Sequence, residues 1–424
     1  MKYDVLVAGG GSAGIAAAFS AAAQGAQTCL IERRSCLGGM ASQALVHSIC
    51  GLYELPQTAE AEAQYANSGF AKFFAERLIA AGGAGRPQRL GRVDVLFHDP
   101  KVFAKVAEGL IGSFQNLTYL PQTKVLSAAA DLSSAELIFK NERQKIVASS
   151  WVDATGDAAL ASLCGATCEM ASSEYLQRPA FIFSVAGVPA EVVNTPGRLR
   201  LAKVLGDAVK SGALPTSAFG ITARAAHRAG EIFFTMNLSA DFSAAESAYN
   251  PLDASQHSLL NAEGRMFAQK LIGFLRENLK GFSDCRLAAF PECLGVRESR
   301  RVRGRYQLTA EDLDCGRRFE DGIGRATWPM ELREKAHTVE LKYPKKIGGC
   351  DLPLRMLQSQ EKESLFMAGR CVSATHEAQA SVRVIGTCFV TGEAAGIAAA
   401  LRAQEKKVTA PAIAAARRKI ICEY

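Results

Sequence analysis

One glycine pattern near the start of the chain leaves few folds open. Residues 3–8 read YDVLVA, an apolar β run, and Gly9, Gly11 and Gly14 follow at the spacing G-x-G-x-x-G. IAAAFSAAAQ then has helical composition, and Gly25 stands where a helix end favours glycine. AQTCLIE (26–32) is a second apolar strand that ends on an acid. The unit is a βαβ of about thirty residues. Each glycine has a separate physical job: Gly9 permits the tight turn out of the strand, Gly11 lets backbone come near a pyrophosphate, and Gly14 lets the helix pack on the sheet. The helix start at Ser12 and Ala13 offers free N–H groups and the positive dipole end to a diphosphate. Glu32 lies eighteen residues beyond Gly14, where a carboxylate accepts both ribose hydroxyls and repels a 2′-phosphate. NADP is therefore disfavoured, while NAD and FAD both remain open from these residues. An ordinary Gly-rich turn would not carry the whole strand–turn–helix–strand–acid sequence.

The remaining composition agrees with an α/β enzyme. The chain has 424 residues, enough for two or three domains or one large two-part enzyme. Hydrophobic residues make up 48% and charged residues 21%, which supplies a core and excludes global disorder. The formal charge of +7 is not gathered in a tail, so it fits a small anionic ligand as readily as an anionic polymer. Glycine reaches 37 while Trp stops at two, which favours helices packed closely on a sheet over an all-β sandwich. No run reaches the roughly 20 apolar residues of a membrane helix. A strand begins almost at once, leaving no room for a secretory leader, so a cytoplasmic protein is expected. The twelve cysteines contain no CxxC, and Cys164 and Cys168 lack a His-rich partner segment, so no metal site is expected.

Texture divides the chain. Residues 51–95 look like an excursion from the sheet, with an amphipathic FAKFFAERLIAA. Asp99-Pro100 starts a helix, and LTYL, KVLSA, AELIF and KIVASSWVDA read as a β meander that returns to the sheet through its last strand. Segments 1–169 and 346–424 form the nucleotide-binding domain. Residues 170–345, with strands RPAFIFSVAGV and GEIFFTMNLS and a long helix near SLLNAEGRMFAQKLIGFLRENL, form an inserted α+β substrate domain. The hexamer AGIAAA occurs at 13–18 and again at 395–400, so both helices need a narrow face against something flat, a sheet or a cofactor. No second fingerprint appears, because Gly322-x-Gly324 lacks the third glycine.

Five blocks carry a family resemblance: VAGGGSAG; ERRSCLGGMAS; WVDATGDAALASLCGA; LGVRESRRVRGRYQLTAED; and LFMAGRCVSATHEAQASVRVIGTCFVTGEAAGIAAA. The chain resembles the FAD-dependent oxidoreductase family of the glutathione-reductase-like flavoproteins. The resemblance implies a Rossmann-like FAD domain, a parallel sheet with a β meander, assembled from both ends and the middle of the chain. It implies FAD with its diphosphate on Gly9–Gly14, including Ser12 and Ala13, and its ribose on Glu32. It puts adenine near Arg33 and the backbone of Val125, and the FAD along Gly38, Gly39 and Met40. Ala154, Thr155, Gly156 and Asp157 would close the domain, Gly369 and Arg370 would meet the ribityl–pyrophosphate region, and the helix near Gly386 and Thr387 would point at the flavin ring. That helix start has a mechanism of its own, since free N–H groups stabilise negative charge developing on a flavin.

Three features bear on chemistry. Cys36-Leu37-Gly38-Gly39 invites a disulfide-reductase reading, but the next cysteine is Cys50 and the required CxxxxC is absent, so Cys36 reads as a structural thiol. The run from Arg297 to Arg305 is the densest in charge. As a strand it would put Arg297, Ser299, Arg301 and Arg303 on one face and Glu298 and Arg300 on the other; Arg300 or Arg301 would then orient an anionic substrate, or Arg301 would pair with Glu298 or Glu311 for structure alone. His376 follows the AGR turn and is the residue chosen as catalytic base, converging with Arg301 on one pocket; His47 is a weaker choice, and His98, His227, His257 and His337 have no supporting context. The function read from all this is an FAD oxidoreductase. It takes hydride from a small substrate, anionic if the arginines bind it, with an external acceptor or visiting NAD(P)H completing the cycle. The alternatives are a flavin monooxygenase and an RNA-binding or RNA-modifying flavoprotein. Nucleic acid is the less favoured partner because aromatic residues do not interleave with the arginines.

Overall fold

The computed structural model describes residues 1–238, 249–335 and 338–423, apart from the side chains of Ala190 and 421–423; His337 lies outside the described residues. The N-terminal unit is built as the glycine spacing predicts, with strand β1 (Lys2–Ala8), helix α1 (Ser12–Ala23) and strand β2 (Thr28–Ile31). β1 and β2 run parallel, Val5 beside Thr28 through Ala8 beside Ile31. Helix α1 is buried from Ser12 to Ala22. A helix buried all round has no polar face, and its small residues let neighbours approach from every side.

The 51–95 excursion contains helix α2 (Phe70–Ala80) and strand β3 (Val93–Phe97), which belongs to a small antiparallel sheet. Helix α3 (Pro100–Gly112) starts as its sequence demands: the Asp99 carboxylate accepts from the N–H groups of Lys101 and Val102, and Pro100 occupies the first turn. Strand β4 (Leu117–Leu120) pairs in parallel with β2, so LTYL is an edge of the main sheet and not part of the meander. The meander is β5 (Lys124–Ala128), β6 (Ala135–Phe139) and β7 (Glu142–Asp153). β7 pairs antiparallel with β6 up to Ile146 and then runs parallel to β1 from Val147. One strand thus closes the meander and extends the parallel sheet.

A second sheet follows. Strands β8 (Ala180–Ala186), β9 (Thr222–Ala225), β10 (Glu231–Asn237) and β11 (Arg286–Ala289) lie antiparallel in the order β9-β10-β8-β11. Helices α4 (Thr195–Lys210) and α5 (Ala254–Asn278) cover one face, burying Phe181, Phe183, Phe234, Phe267 and Leu271 in a core of its own. Alternation along β8 and β10 sends Phe181, Phe183, Ile232 and Phe234 into that core, while Ala180, Ile182 and Phe233 form a separate cluster on the opposite face with Leu45 and Val46.

The two cores do not divide at the expected boundary of 345. The second core draws on residues up to Val296, whereas Val302, Leu308, Ile323, Ala326, Cys350 and Leu352 pack into the first. Residues 302–354 therefore pack with the first core, their apolar side chains meeting the C-terminal helices. Strand β12 (Met330–Leu332) lies in this segment. Strand β13 (Leu365–Met367) joins the main sheet parallel to β7, and helices α6 (His376–Val382), α7 (Ile385–Ala403) and α8 (Ala410–Glu423) complete the chain. The two AGIAAA helices pack mainly on each other. A Cβ on Gly392 would stand 2.1 Å from the Ala13 carbonyl oxygen, and one on Gly396 2.1 Å from that of Ala17. Among the described residues no single helix is long and apolar enough to cross a membrane; α6 and α7 pass that test only together, and they bend by 93° between them.

Candidate functional site

A single long cavity runs between the two sheets, and its two ends are made differently. The outer end is made largely of backbone. Gly9, Gly11, Ser12, Ala13, Glu32, Arg33, Gly39, Met40, Ala154, Thr155, Gly156, Gly369 and Arg370 line it. Gly9 has a φ of +102°, and a Cβ there would meet the Ala154 carbonyl at 2.5 Å, so the turn itself needs glycine. Gly11 has an ordinary φ of −73° and no protein atom within 4 Å of where a Cβ would lie. Its glycine leaves space in the cavity and relieves no backbone strain. Glu32 is buried, with one carboxylate oxygen accepting the Gly10 N–H at 2.7 Å and the other the Arg34 N–H at 2.9 Å.

Other residues chosen from sequence stand behind this wall. Gly14 packs α1 on the turn, since a Cβ would lie 1.7 Å from the Gly9 carbonyl oxygen. Gly38 makes the left-handed turn at φ +107° and donates its N–H to the Gly10 carbonyl. Asp157 holds Arg370 at 2.6 Å and accepts the Ser299 hydroxyl at 2.9 Å. Burial pushes the Asp157 carboxyl up, but Arg370 and Arg33 outweigh it and hold it below the usual range. Val125 on β5 is not part of the cavity wall. Val384 and Ile385 line the cavity in place of Gly386 and Thr387. Gly386 donates its N–H to the Cys50 carbonyl, which locks the first turn of α7 against the Gly51 loop. No side chain caps that turn, so its positive end opens on the cavity.

The inner end is made of side chains from scattered segments. Alternation on β9 buries Ala223 in the second core and turns Arg224 to the cavity, beside Thr222, Ile182 and Thr235. On β12 and just beyond it, Met330 and Leu332 are buried while Glu331 and Arg333 face the cavity. The Arg333 Nε donates to Glu331 at 2.6 Å. Arg297 and Arg383 complete the group. Burial pushes the Glu331 carboxyl up, but Arg333 and Arg383, then Arg297, outweigh it and hold the group at about 2. His47 stacks between Phe233 at 4.1 Å and Phe97 at 5.5 Å. Burial, aided by His98 and Arg224, brings its pKa to about 3, so the ring is neutral at ordinary pH. Its Nδ1 faces the Leu45 carbonyl at 3.4 Å and its Nε2 has no partner among the described residues.

The arginine run and His376 require corrections. Of that run only Arg301–Val302 is strand, and the residues just before it have no regular secondary structure. Glu298 and Arg301 consequently meet instead of facing apart, and Glu298 is fully buried beneath them. His376 bridges two carboxylates, Glu298 and Glu334, at 2.9 Å each. Burial lowers the imidazole pKa, but both carboxylates outweigh it and leave the ring above its ordinary 6.5. Arg301 and His376 thus converge on Glu298, yet neither lines the cavity. Arg300 turns elsewhere, to the Asp157 carbonyl at 2.9 Å and the Ser162 hydroxyl. Arg297, Glu298 and Arg301 are buried, while the Arg303 side chain is 41% exposed and Arg305 is exposed, so only the end of the run reaches the surface. Gly322 and Gly324 lie on a strand paired with Cys350–Pro353, not in a phosphate loop. Among the described residues no cluster of His, Cys, Asp or Glu is placed to hold a metal ion.

Sequence reasoning missed Arg224, Glu331, Arg333 and Arg383. For Arg224 the signal was present as the alternation in TARA; for the others only proximity in the fold reveals them.

A family model described as FAD dependent oxidoreductase matches residues 4–419. No curated protein matches. Among solved structures, a geranylgeranyl bacteriochlorophyll reductase-like protein from Thermoplasma acidophilum aligns over 100% of this chain and 84% of its own, at 12% identity and a TM-score of 0.46. Glycine oxidase from Geobacillus kaustophilus aligns over 96% and 95%, at 12% identity and a TM-score of 0.43.

Proposed function

With the chain a member of the FAD dependent oxidoreductase family, whose cofactor is FAD, we propose that FAD occupies the outer end of the cavity and that a small substrate binds at the inner end and is oxidised by loss of hydride. When bound, FAD supplies a two-electron acceptor. The chain's residues supply everything else. In this reading the N–H groups at Ser12 and Ala13 bind the diphosphate, with Gly11 leaving room for it. Glu32, already oriented by two backbone N–H groups, accepts the ribose hydroxyls. Asp157 fixes Arg370 beside the same region. The uncapped first turn of α7 presents its positive end to the ring system.

His47 replaces His376 as the imidazole at the substrate. With its proton on Nδ1 toward Leu45, Nε2 offers a lone pair to a substrate hydroxyl or amine. His376, held between two carboxylates, has no free nitrogen to act as a base toward the cavity.

The observation that carries this reading is the open space at Gly11 beside a pre-oriented Glu32, continuous with an inner chamber walled by the second sheet. The test is anaerobic. FAD-loaded protein is mixed with a metabolite panel and its visible absorbance followed. Bleaching by a metabolite alone supports hydride oxidation. Bleaching only by NADH or NADPH, with product formed only after oxygen is admitted, would replace this reading with a monooxygenase.

A further inference from the structure

The inner end of the cavity holds more positive charge than the protein neutralises. Arg224, Arg297, Arg333 and Arg383 line it against one carboxylate, Glu331. Arg333 is paired with that carboxylate. Arg297 donates to the Arg178 carbonyl, and Arg383 to the Gln177 amide oxygen and the Glu331 carbonyl, all of them neutral acceptors. The Arg383 Nε is buried without a partner. Arg224 has no hydrogen bond or ion pair among the described residues. Four cations less one carboxylate leaves three charges without a counter-ion, and His47 is neutral. Desolvated, mutually repelling guanidinium groups are costly to hold together unless an anion joins them. Burial and the neighbouring arginines press Arg297 well below its ordinary pKa, and the same two influences lower Arg224.

We infer that this arginine group is the substrate's binding site and that the substrate is a small dicarboxylate. One negative charge would leave two of the three cations uncompensated. The arginines also enter from different walls: Arg224 from the second sheet, Arg297 from the irregular segment before residue 301, Arg333 from the end of β12, and Arg383 from the turn between α6 and α7. Separated planar forks suit two carboxylates held apart, each met by one or two guanidinium groups. A single compact phosphate would need the arginine forks to meet at one point, whereas these four come from four separate segments. The inference rests on the proposed function, since it assigns the substrate of that same inner chamber.

The experiment titrates FAD-loaded protein with malonate and succinate, using malonamide, acetate and inorganic phosphate as controls. The readouts are the flavin difference spectrum and the thermal midpoint. A saturable spectral change with a dicarboxylate is expected, with acetate weaker and malonamide silent. Arg224→Gln should raise the dicarboxylate Kd roughly 10- to 100-fold, in keeping with loss of a charge-assisted contact. Its FAD content should stay unchanged, because Arg224 holds no other group. Arg224→Lys should recover only part of the loss. Malonamide binding as well as malonate, phosphate binding more tightly than either dicarboxylate, or an unaltered Kd in Arg224→Gln would each overturn the inference. So would the absence of any response to dicarboxylates in protein that holds FAD. Protein that takes up no FAD would instead refute the proposed function; a malonate-induced rise in its thermal midpoint would still support the arginine site, and no rise would sink that too.

Discussion

The two ends of the cavity teach different lessons about how a site is encoded. The outer end is backbone: a left-handed Gly9, an open Gly11, and Glu32 pinned by the Gly10 and Arg34 N–H groups. Its centre comes from one continuous βαβ, and the segments at 33–40, 154–156 and 369–370 close around it. The inner end is side chain, and Arg224, Arg297, Glu331, Arg333 and Arg383 come from segments that meet only in the finished fold. A backbone site tolerates most side-chain changes but not a Cβ in the wrong place. A side-chain site should behave the opposite way.

The largest effect should follow from Gly11→Val. With φ at −73° and nothing within 4 Å of the new Cβ, the variant should fold. The added methyl groups fill the space assigned to the diphosphate, so the purified protein should be colourless and remain so after incubation with FAD, with its far-ultraviolet circular dichroism unchanged. A yellow Gly11→Val protein would place the diphosphate elsewhere and erase the distinction between the two ends.

Next in size is a change that attacks the outer end from behind. Gly392→Leu puts a side chain where a Cβ alone stands 2.1 Å from the Ala13 carbonyl. Overpacking of this kind typically costs about 1–3 kcal/mol, and here backbone, not a flexible side chain, must move. Denaturant unfolding should show the loss, and the displaced α1 should weaken FAD retention. Gly273→Leu on α5 has no protein atom near its Cβ and is the control, expected to keep its FAD and to gain, not lose, up to about 1 kcal/mol from helix propensity.

The contrast also explains what the sequence made legible. Strand, turn, helix and acid follow one another between residues 2 and 32, so local spacing alone places the outer end. The parallel sheet was legible for the same reason. The return of the meander to the sheet through its last strand was legible too, since β7 serves both, whereas LTYL, read as part of the meander, pairs with β2. Arg301 and His376 come together on Glu298, away from the cavity wall. Their conjunction with Glu298 is real, but an irregular segment replaced the strand on which the alternating faces depended. Residues 302–345 share the mixed texture of the segment before them while packing on the first core, so texture and packing divide the chain at different places. Arg383 and Arg333 could not have been selected, since nothing local distinguishes them from surface arginines.

A smaller effect should come from the network behind the inner end. His376→Ala removes hydrogen bonds to two carboxylates and leaves Glu298 with Arg301 and the Gln177 N–H; bonds to charged groups are worth about 1.5–3 kcal/mol, less where a partner such as Glu334 is partly exposed. Because His376 titrates above its ordinary 6.5 in the folded protein, its contribution is full below about pH 6.5 and is lost as pH rises through the folded value. The stability gap between wild type and variant should therefore be widest in mild acid and shrink toward alkaline pH, read from denaturant midpoints. FAD content should not change. A gap that widens with pH would mean that the ring is held neutral, and His376 would return as a base.

The smallest expected effect belongs to Cys36→Ser. Cys36 sits in the segment leading to Gly38 and Gly39, where a dithiol enzyme would keep a redox cysteine, so it is the sharpest test of an outer end that acts through backbone. The thiol is free, and what holds the segment is the Gln43 amide, which donates to the Cys36 carbonyl at 2.6 Å and to the sulfur at 3.4 Å. A serine hydroxyl can accept the second contact, and the first belongs to the main chain and survives any substitution. Stability should move within about 0.5 kcal/mol, as for most changes outside special features, and anaerobic bleaching of bound FAD by substrate should proceed at the wild-type rate. Loss of bleaching with FAD still in place would show that a side chain of the outer end takes part in electron transfer, which the backbone construction of that end does not provide for.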